Sequence, residues 1–435
     1  MLEHKLLCVL NYCIACFCNA ILGTRKQDNT YEIRIKAKGL CSMRTKPLCV
    51  VLGGFIVQNA ALLSVPKIIA GSNAIETLGK EIVGIGRKPL LIIGSGSIKQ
   101  NGTFDRLAAG LGANYALFEN VPSDPDIETV NAGLTVYRTN DCDCIVAVGG
   151  GSVLDAAKAI GLLATNPGKI TDYEFTPPKY KCPPIMAIPT TAGTGSEVTK
   201  WSIITDPVLK KKMAIGHEYL MPTMVVLDPI LTISMPREVT AATGMDALTH
   251  AVEAFISDKA TPLSELWSLK AISMLTKNIL TATYNPTDIH ARTEMLLGQM
   301  YAGVAFNNSS VALVHAMSRP LGAYYGIGHG EANAMLLATV LDFNRLACTD
   351  RYKPIAEAVG IRTENKDRDY IAKSLVSYVA ELFSELPLKS KLRQFEVSVD
   401  DIPKMAKDAY VNASAKVNPR KALETEVIAI YKSIY

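Results

Sequence analysis

Cysteine is scarce over most of this 435-residue chain. Six of its ten cysteines (Cys8, Cys13, Cys16, Cys18, Cys41 and Cys49) fall in the first fifty residues, leaving Cys142, Cys144, Cys182 and Cys348 for the remainder. That is too sparse for a disulfide framework and fits a reducing compartment. Charge of one sign is also lacking. The 45 Lys and Arg against 41 Asp and Glu leave +4, too weak an excess for a nucleic-acid binder. The excess is local: residues 1–50 carry eight basic side chains against three acidic ones, and the rest carries 37 against 38. The main body has no apolar run long enough to span a bilayer, so we expect no stable membrane association. Glycine (30) and proline (22) are not enriched, which excludes collagen-like and low-complexity chains. What is present is 49% hydrophobic and 20% charged, a composition that excludes disorder and, at this length, suggests two or three domains.

Residues 1–60 read as an extension foreign to the rest. Leu6 to Leu22 is uncharged and apolar, interrupted by Asn11 and Asn19, with Lys5 before it and basic residues after it. A targeting segment, an upstream extension with Met43 as an alternative start, and a membrane anchor are competing readings. Cys13 and Cys16 have redox or metal-pair spacing, but no second pair completes a site. The compartment expected is the cytoplasm, with organelle targeting through this extension as the alternative.

From residue 61 to 236 apolar strands alternate with helices. The expected strands are Pro66–Ala70, Pro89–Ile93, Tyr115–Phe118, Cys144–Val148 and Ile185–Ile188. Helical spacing falls at Asn73–Ile82, Gly102–Leu111, Ile127–Tyr137 and 152–163. Strands apolar on both faces and separated by helices predict a parallel sheet. The segment 205–213 reads as a charged, solvated turn. From 237 to 435 period-3.6 segments dominate (239–257, 262–282, 290–304, 309–318, 331–345, 369–385), predicting an all-helical domain. The fold expected is therefore an α/β dinucleotide-binding domain followed by an all-α domain.

Three polar turns end predicted strands. Gly149-Gly150-Gly151-Ser152 opens a helix. Its glycines allow close approach of a pyrophosphate, and the free N–H groups and dipole of the helix start favour an anion. Ser152 is placed to cap that helix, and Asp155 to complete a capping box. Pro189 to Glu197 offers hydroxyls at Thr190, Thr191, Thr194 and Ser196. The third turn is Gly94-Ser95-Gly96-Ser97. Three such turns at the carboxyl edge of a sheet favour a dinucleotide. Where an acid would bind a ribose diol, this chain has hydroxyls and Lys99, so the reading leans to NADP over NAD.

Asp246 and His250 lie four apart in Gly244–His250, on one face of an apolar helix. His315 lies in a second apolar helix and His329 just before a third. One carboxylate with three imidazoles suits Fe²⁺ or Zn²⁺ and not Ca²⁺ or Mg²⁺. Taken singly, each histidine reads more readily as a hydrogen-bonded core residue than as a ligand. His4, His217 and His290 read as surface or terminal. Tyr301, Phe306, Tyr324 and Tyr325 either line a substrate pocket or simply pack.

Four stretches together carry a likeness: Gly149–Gly161 (GGGSVLDAAKAIG), Pro189–Thr199 (PTTAGTGSEVT), Gly244–Ile256 (GMDALTHAVEAFI) and Gly303–Asn333. From about Val65 to its end the chain resembles the iron-containing (group III) alcohol dehydrogenases. The resemblance implies a dehydroquinate synthase-like architecture with a cleft between its two domains. It implies NAD(P)-linked hydride transfer between a nicotinamide and a metal-bound alcohol or aldehyde, and a homodimer or larger homo-oligomer. It implies that Asp246, His250, His315 and His329 are the metal ligands. Cofactor contacts would fall on Gly150, Gly151, Ser152, Asp155, Thr190, Thr191, Thr194 and Lys212, with Gly94, Ser95, Gly96 and Ser97 resembling the turn of NADPH-using members. Many members carry a second histidine four residues after the third ligand; here that place is Arg319. This leaves the proton relay unassigned, and a fixed cation there could hold an acidic or polar group. A metal- and NAD-dependent sugar-phosphate cyclase needs more basic residues near the metal than Arg319 supplies. A catalytically silent binding protein is the other alternative.

Overall fold

The computed structural model describes residues 62–94, 97–209 and 211–435, together with the backbone of two short strands, β1 (Val50–Leu52) and β2 (Phe55–Val57). The expectations for the Leu6–Leu22 run, Met43, and the Cys13 and Cys16 pair lie outside the described residues, as do Ser95, Gly96 and the side chain of Ser97. β1 and β2 pair antiparallel and belong to one unit; Ala60–Tyr435 form another, compact by itself.

That second unit begins with an α/β region. Its strands are β3 (Lys67–Ala70), β4 (Pro89–Gly94), β5 (Ala116–Val121), β6 (Cys144–Gly149), β7 (Ile185–Pro189) and β10 (Met224–Leu227). They form one six-stranded sheet in the order β3-β10-β7-β6-β4-β5, and every pairing is parallel. Its central strands have no solvent face: every residue of β6 and β7 is buried, which accounts for their unbroken apolar runs. The crossover helices include α1 (Leu78–Ile82), α2 (Ser97–Gln100), α3 (Thr103–Leu111), α4 (Ile127–Thr139) and α5 (Gly151–Thr165).

Three expectations are corrected here. The segment 205–213 is largely strand: β8 (Trp201–Asp206) and β9 (Lys211–Gly216) form an antiparallel hairpin, with Lys211 and Lys212 exposed and Asp206 buried, accepting from the Val208 and Leu209 amides. β10 escaped prediction because four apolar residues carry no period. Asn73–Ile82 is a 3-10 turn (Ala74–Thr77) that runs into α1.

The helical region is α6 (Arg237–Ile256), α7 (Pro262–Tyr284), α8 (Ile289–Asn307), α9 (Leu313–Tyr325), α10 (His329–Asn344), α11 (Thr349–Ala358), α12 (Arg368–Ser384), α13 (Ile402–Val411) and α14 (Glu424–Ser433). α6 is central. It packs against α7, α8 and α10, and every residue from Gly244 to Ile256 is buried. A helix apolar all round is a core helix. Among the described residues no helix is long and apolar enough to cross a membrane.

Candidate active site

β6 sits between β4 and β7, so the turns after all three emerge side by side on one edge of the parallel sheet. β5 follows β4 on one side while β6 lies on the other. The gap between β4 and β6 is therefore the topological switch point, the usual nucleotide crevice of such sheets. The turn after β6 carries Gly150 and Gly151 at the start of α5, where unpaired amides and the dipole face the crevice. Thr190 N–H donates to the Gly149 carbonyl at 3.0 Å, joining the two glycine- and hydroxyl-rich turns. Thr190, Thr191 and Thr194 are half-buried, with room to meet a ligand.

The cap expected at Ser152 is not there. Gly150 is the N-cap residue, and the Ser152 hydroxyl donates to the Ser123 carbonyl. Nor does Asp155 form a capping box. Its oxygens accept from Ser196 Oγ (2.6 Å) and from the Ile203 amide (3.0 Å), a long-range tie from α5 to the turn after β7 and to the hairpin. Lys212 stands on exposed β9, paired with Asp124 at 2.6 Å. Lys99 is paired with Glu119 at the end of β5, so the cation that favoured a 2′-phosphate already has a partner.

The turn after β7 also touches the helical region. A Cβ on Gly193 would lie 2.6 Å from Thr243 Cβ, so only glycine lets this turn close onto α6 one turn before Asp246. Gln299 of α8 secures the same turn: its Oε1 accepts from Gly195 N–H (2.8 Å) and its Nε2 donates to buried Glu197 (2.5 Å).

The structure gathers all four predicted ligands. Asp246, His250, His315 and His329 each offer one donor atom, and the four atoms lie within 4.8 Å of one another. Asp246 Oδ1 is 4.0 Å from His250 Nε2, 3.7 Å from His315 Nε2 and 3.8 Å from His329 Nε2. Gly330 is what admits His329, because a Cβ at that position would strike the Ala242 carbonyl and push α10 off α6. His329 is the open member, with 44% of its side chain exposed; the other three are buried.

Electrostatics favour lone pairs here. Burial pushes His250 down to about 4 and His315 well below the usual imidazole range, and desolvation lowers His329 too. The imidazoles are therefore neutral at pH 7, the form that ligates metals. Glu253 orients His315. Its carboxylate accepts from the Ala312 and Val314 amides (2.7 and 2.6 Å) and sits 2.7 Å from His315 Nδ1. A proton held there leaves Nε2 free to face Asp246. Asn333 Nδ2 stands where the lone pairs converge, 2.7 Å from Asp246 Oδ1, 3.2 Å from His315 Nε2 and 3.3 Å from His329 Nε2. The amide N–H supplies the electropositive group that this donor set demands. One carboxylate and three neutral imidazoles converging on a point fit a divalent transition metal.

Glu253 and Asn333 were missed in the sequence reading. The helical spacing rule locates both: Glu253 lies three residues after His250, and Asn333 four after His329. Of the four aromatic candidates, Phe306 reaches the cluster, its ring stacked on His250 at 4.4 Å. Tyr301 packs on Trp267, and the Tyr324 and Tyr325 hydroxyls donate to Asp408 and Asp401.

A switch-point sheet edge and a buried histidine–carboxylate cluster, joined by the turn after β7, fit a metal-dependent nicotinamide oxidoreductase. The sequence pattern described as "Iron-containing alcohol dehydrogenase" matches residues 66–229, and "Fe-containing alcohol dehydrogenase family, C-terminal" matches 240–435. The chain is 35% identical to the NAD-dependent methanol dehydrogenase of Bacillus methanolicus, covering 85% of this chain and 98% of that protein. It is 36% identical to the 1,3-propanediol dehydrogenase of Klebsiella pneumoniae, over 84% of this chain and 96% of the relative. A crystal structure of a 1,3-propanediol oxidoreductase superposes with a TM-score of 0.85 at 36% identity, covering 87% and 100% of the two chains. The chain belongs to the iron-containing alcohol dehydrogenase family. Its class is therefore that of NAD-linked oxidoreductases acting on CH–OH groups.

Proposed function

We propose that this chain interconverts a small alcohol and its aldehyde, using NAD or NADP and one divalent ion, Fe²⁺ or Zn²⁺, held by Asp246, His250, His315 and His329. The convergence of those four donor atoms within 4.8 Å is the observation that carries the reading. The two halves of the site lie in residues 61–236 and 237–435, with the cofactor contacts of the first at Gly150, Gly151, Ser152, Thr190, Thr191 and Thr194. We include Asp155 as a residue that positions the β7 turn through Ser196. A homo-oligomer and a cytoplasmic setting, or an organelle reached through residues 1–60, complete the proposal.

A bound divalent ion would supply Lewis acidity to the alcohol or carbonyl oxygen. The chain's own residues do the rest. Glu253 keeps the His315 Nε2 lone pair directed inward, and Asn333 braces Asp246 through its amide N–H. Phe306 backs His250 and keeps water from that side. Gln299 and Gly193 hold the β7 turn against α6, so that a nucleotide lying on the turn meets the cluster.

The test is His315→Ala. Metal analysis should show loss of the ion, and NADH-linked turnover with short alcohols should fall by roughly a thousandfold or more. NAD(H) binding, read by nucleotide fluorescence, should survive. A variant that kept full turnover after chelation would end the proposal.

A further inference from the structure

Arg319 is a cation that the site does not otherwise use. It stands on α9, where positions four apart stack on one helix face, so the Arg319 stem lies one turn along from the proposed ligand His315. The fork carries five N–H donors. Among the described residues one hydrogen bond uses them, from Nη1 to Asn412 Oδ1 at 3.3 Å.

Nearby acids are committed elsewhere. Glu253 is taken by two amides and His315. Asp408 and Asp401 of the neighbouring segment accept from Tyr324 and Tyr325. Three arginines of the helical region, Arg345, Arg351 and Arg420, each hold a carboxylate at 2.6 Å, whereas Arg319 holds none among the described residues. A part-buried guanidinium has lost much of its hydration, and its planar fork matches a carboxylate with two parallel hydrogen bonds.

We infer that Arg319 receives an anionic group at the far end of the substrate, so that the preferred substrate is a short alcohol or aldehyde bearing a carboxylate. The inference rests on the dehydrogenase reading and names its substrate class. The carboxylate is a spectator. In the reducing direction hydride passes from NADH to the aldehyde carbon, the oxygen gains one proton from solvent, and the anion is unchanged. Arg319 thus sets specificity rather than chemistry.

The experiment compares kcat/KM for 4-oxobutanoate and for butanal, which match in chain length and differ at the terminal group. The metal- and NADH-loaded enzyme is used as wild type, Arg319→Gln and Arg319→Lys. We expect the wild type to favour 4-oxobutanoate by about 10–100-fold, the scale of a charge-assisted bidentate pair. Arg319→Gln should bring the ratio toward one, with the change carried by KM for 4-oxobutanoate. Arg319→Lys should restore part of it, since charge returns without the fork. A purely structural arginine would lower both aldehydes together and leave the ratio in place, and that result overturns the inference. So does a wild type that prefers butanal, which needs no variant to fold. Calorimetric titration of succinate into the same wild type and variants gives a readout without turnover. If neither aldehyde is reduced, the dehydrogenase reading fails, and the titration still decides Arg319: succinate bound equally by wild type and Arg319→Gln overturns it, and affinity at least several-fold higher in the wild type supports it.

Discussion

The sheet edge and the helical cluster suit opposite charges, and by opposite means. At the edge, the groups proposed to meet a nucleotide come from short continuous turns: Gly150 and Gly151 from one, Thr190 to Thr194 from another. At the cluster, four ionisable side chains come from α6, α9 and α10, spread from residue 246 to residue 329. An anion cradle can be local, because successive N–H groups at a helix start already point the same way. A cation cage cannot, because lone pairs must arrive from several directions. Gln299 and the glycines of the β7 turn join the two.

That contrast can be broken one side at a time. The largest effect should come from Lys158, fully buried in α5 and donating to the Ser196 and Trp201 carbonyls and to the Ser196 and Thr199 hydroxyls. Lys158→Met should cost ~3–5 kcal/mol in urea unfolding, because it strips a buried network of its cation. Burial lowers the lysine from 10.5 to about 8. Between those values the unfolded chain holds the extra proton, so this group's contribution to stability rises with pH across that window. The rise should be present in the wild type and missing from the variant.

On the other side, Glu253→Gln should weaken metal affinity by about 10–100-fold in competition titrations and leave nucleotide affinity in place. At the joint, Gly195 has φ +64 and sits where a Cβ would lie 2.7 Å from Gly303 Cα. Gly195→Ala should cost ~1–3 kcal/mol and lower nucleotide and metal affinity together. A loss confined to one ligand would show that the two halves are independent. The smallest effect is expected at Glu119, exposed by 37% and paired with Lys99. Glu119→Gln frees the lysine and should shift the NADP-to-NAD ratio of kcat/KM about two- to five-fold toward NADP, the scale of an exposed pair.

Legibility followed the same divide. The apolar runs of β4, β6 and β7 announced a buried parallel sheet, and period 3.6 marked α6 to α10 and α12. β10 and the β8–β9 hairpin were not visible, since the first is too short for a period and the second carries its charges on strands. α11, α13 and α14 also went unread; each is ten residues long. Ser152 looked like a cap because its residue type suits one. The carbonyl of Ser123, which claims it, comes from a turn 29 residues away. Lys99 looked available for the same reason, until its partner Glu119 was brought in by strand pairing.

Residue type and spacing along the chain were enough to name Asp246 and His250 as neighbours, because a helix puts positions four apart on one face. They were enough to mark the glycine turns as anion sites, because the chemistry lies in the local backbone. The likeness of the four stretches also named His315 and His329; tertiary packing is what brings them to that pair, and it alone decided that Glu253 holds one imidazole, that Asn333 touches three donors, and that Arg319 is left with most of its donors unused among the described residues. Those outcomes depend on distances between segments far apart in the chain, and such distances are set by how helices pack, not by the order of residues within any one of them.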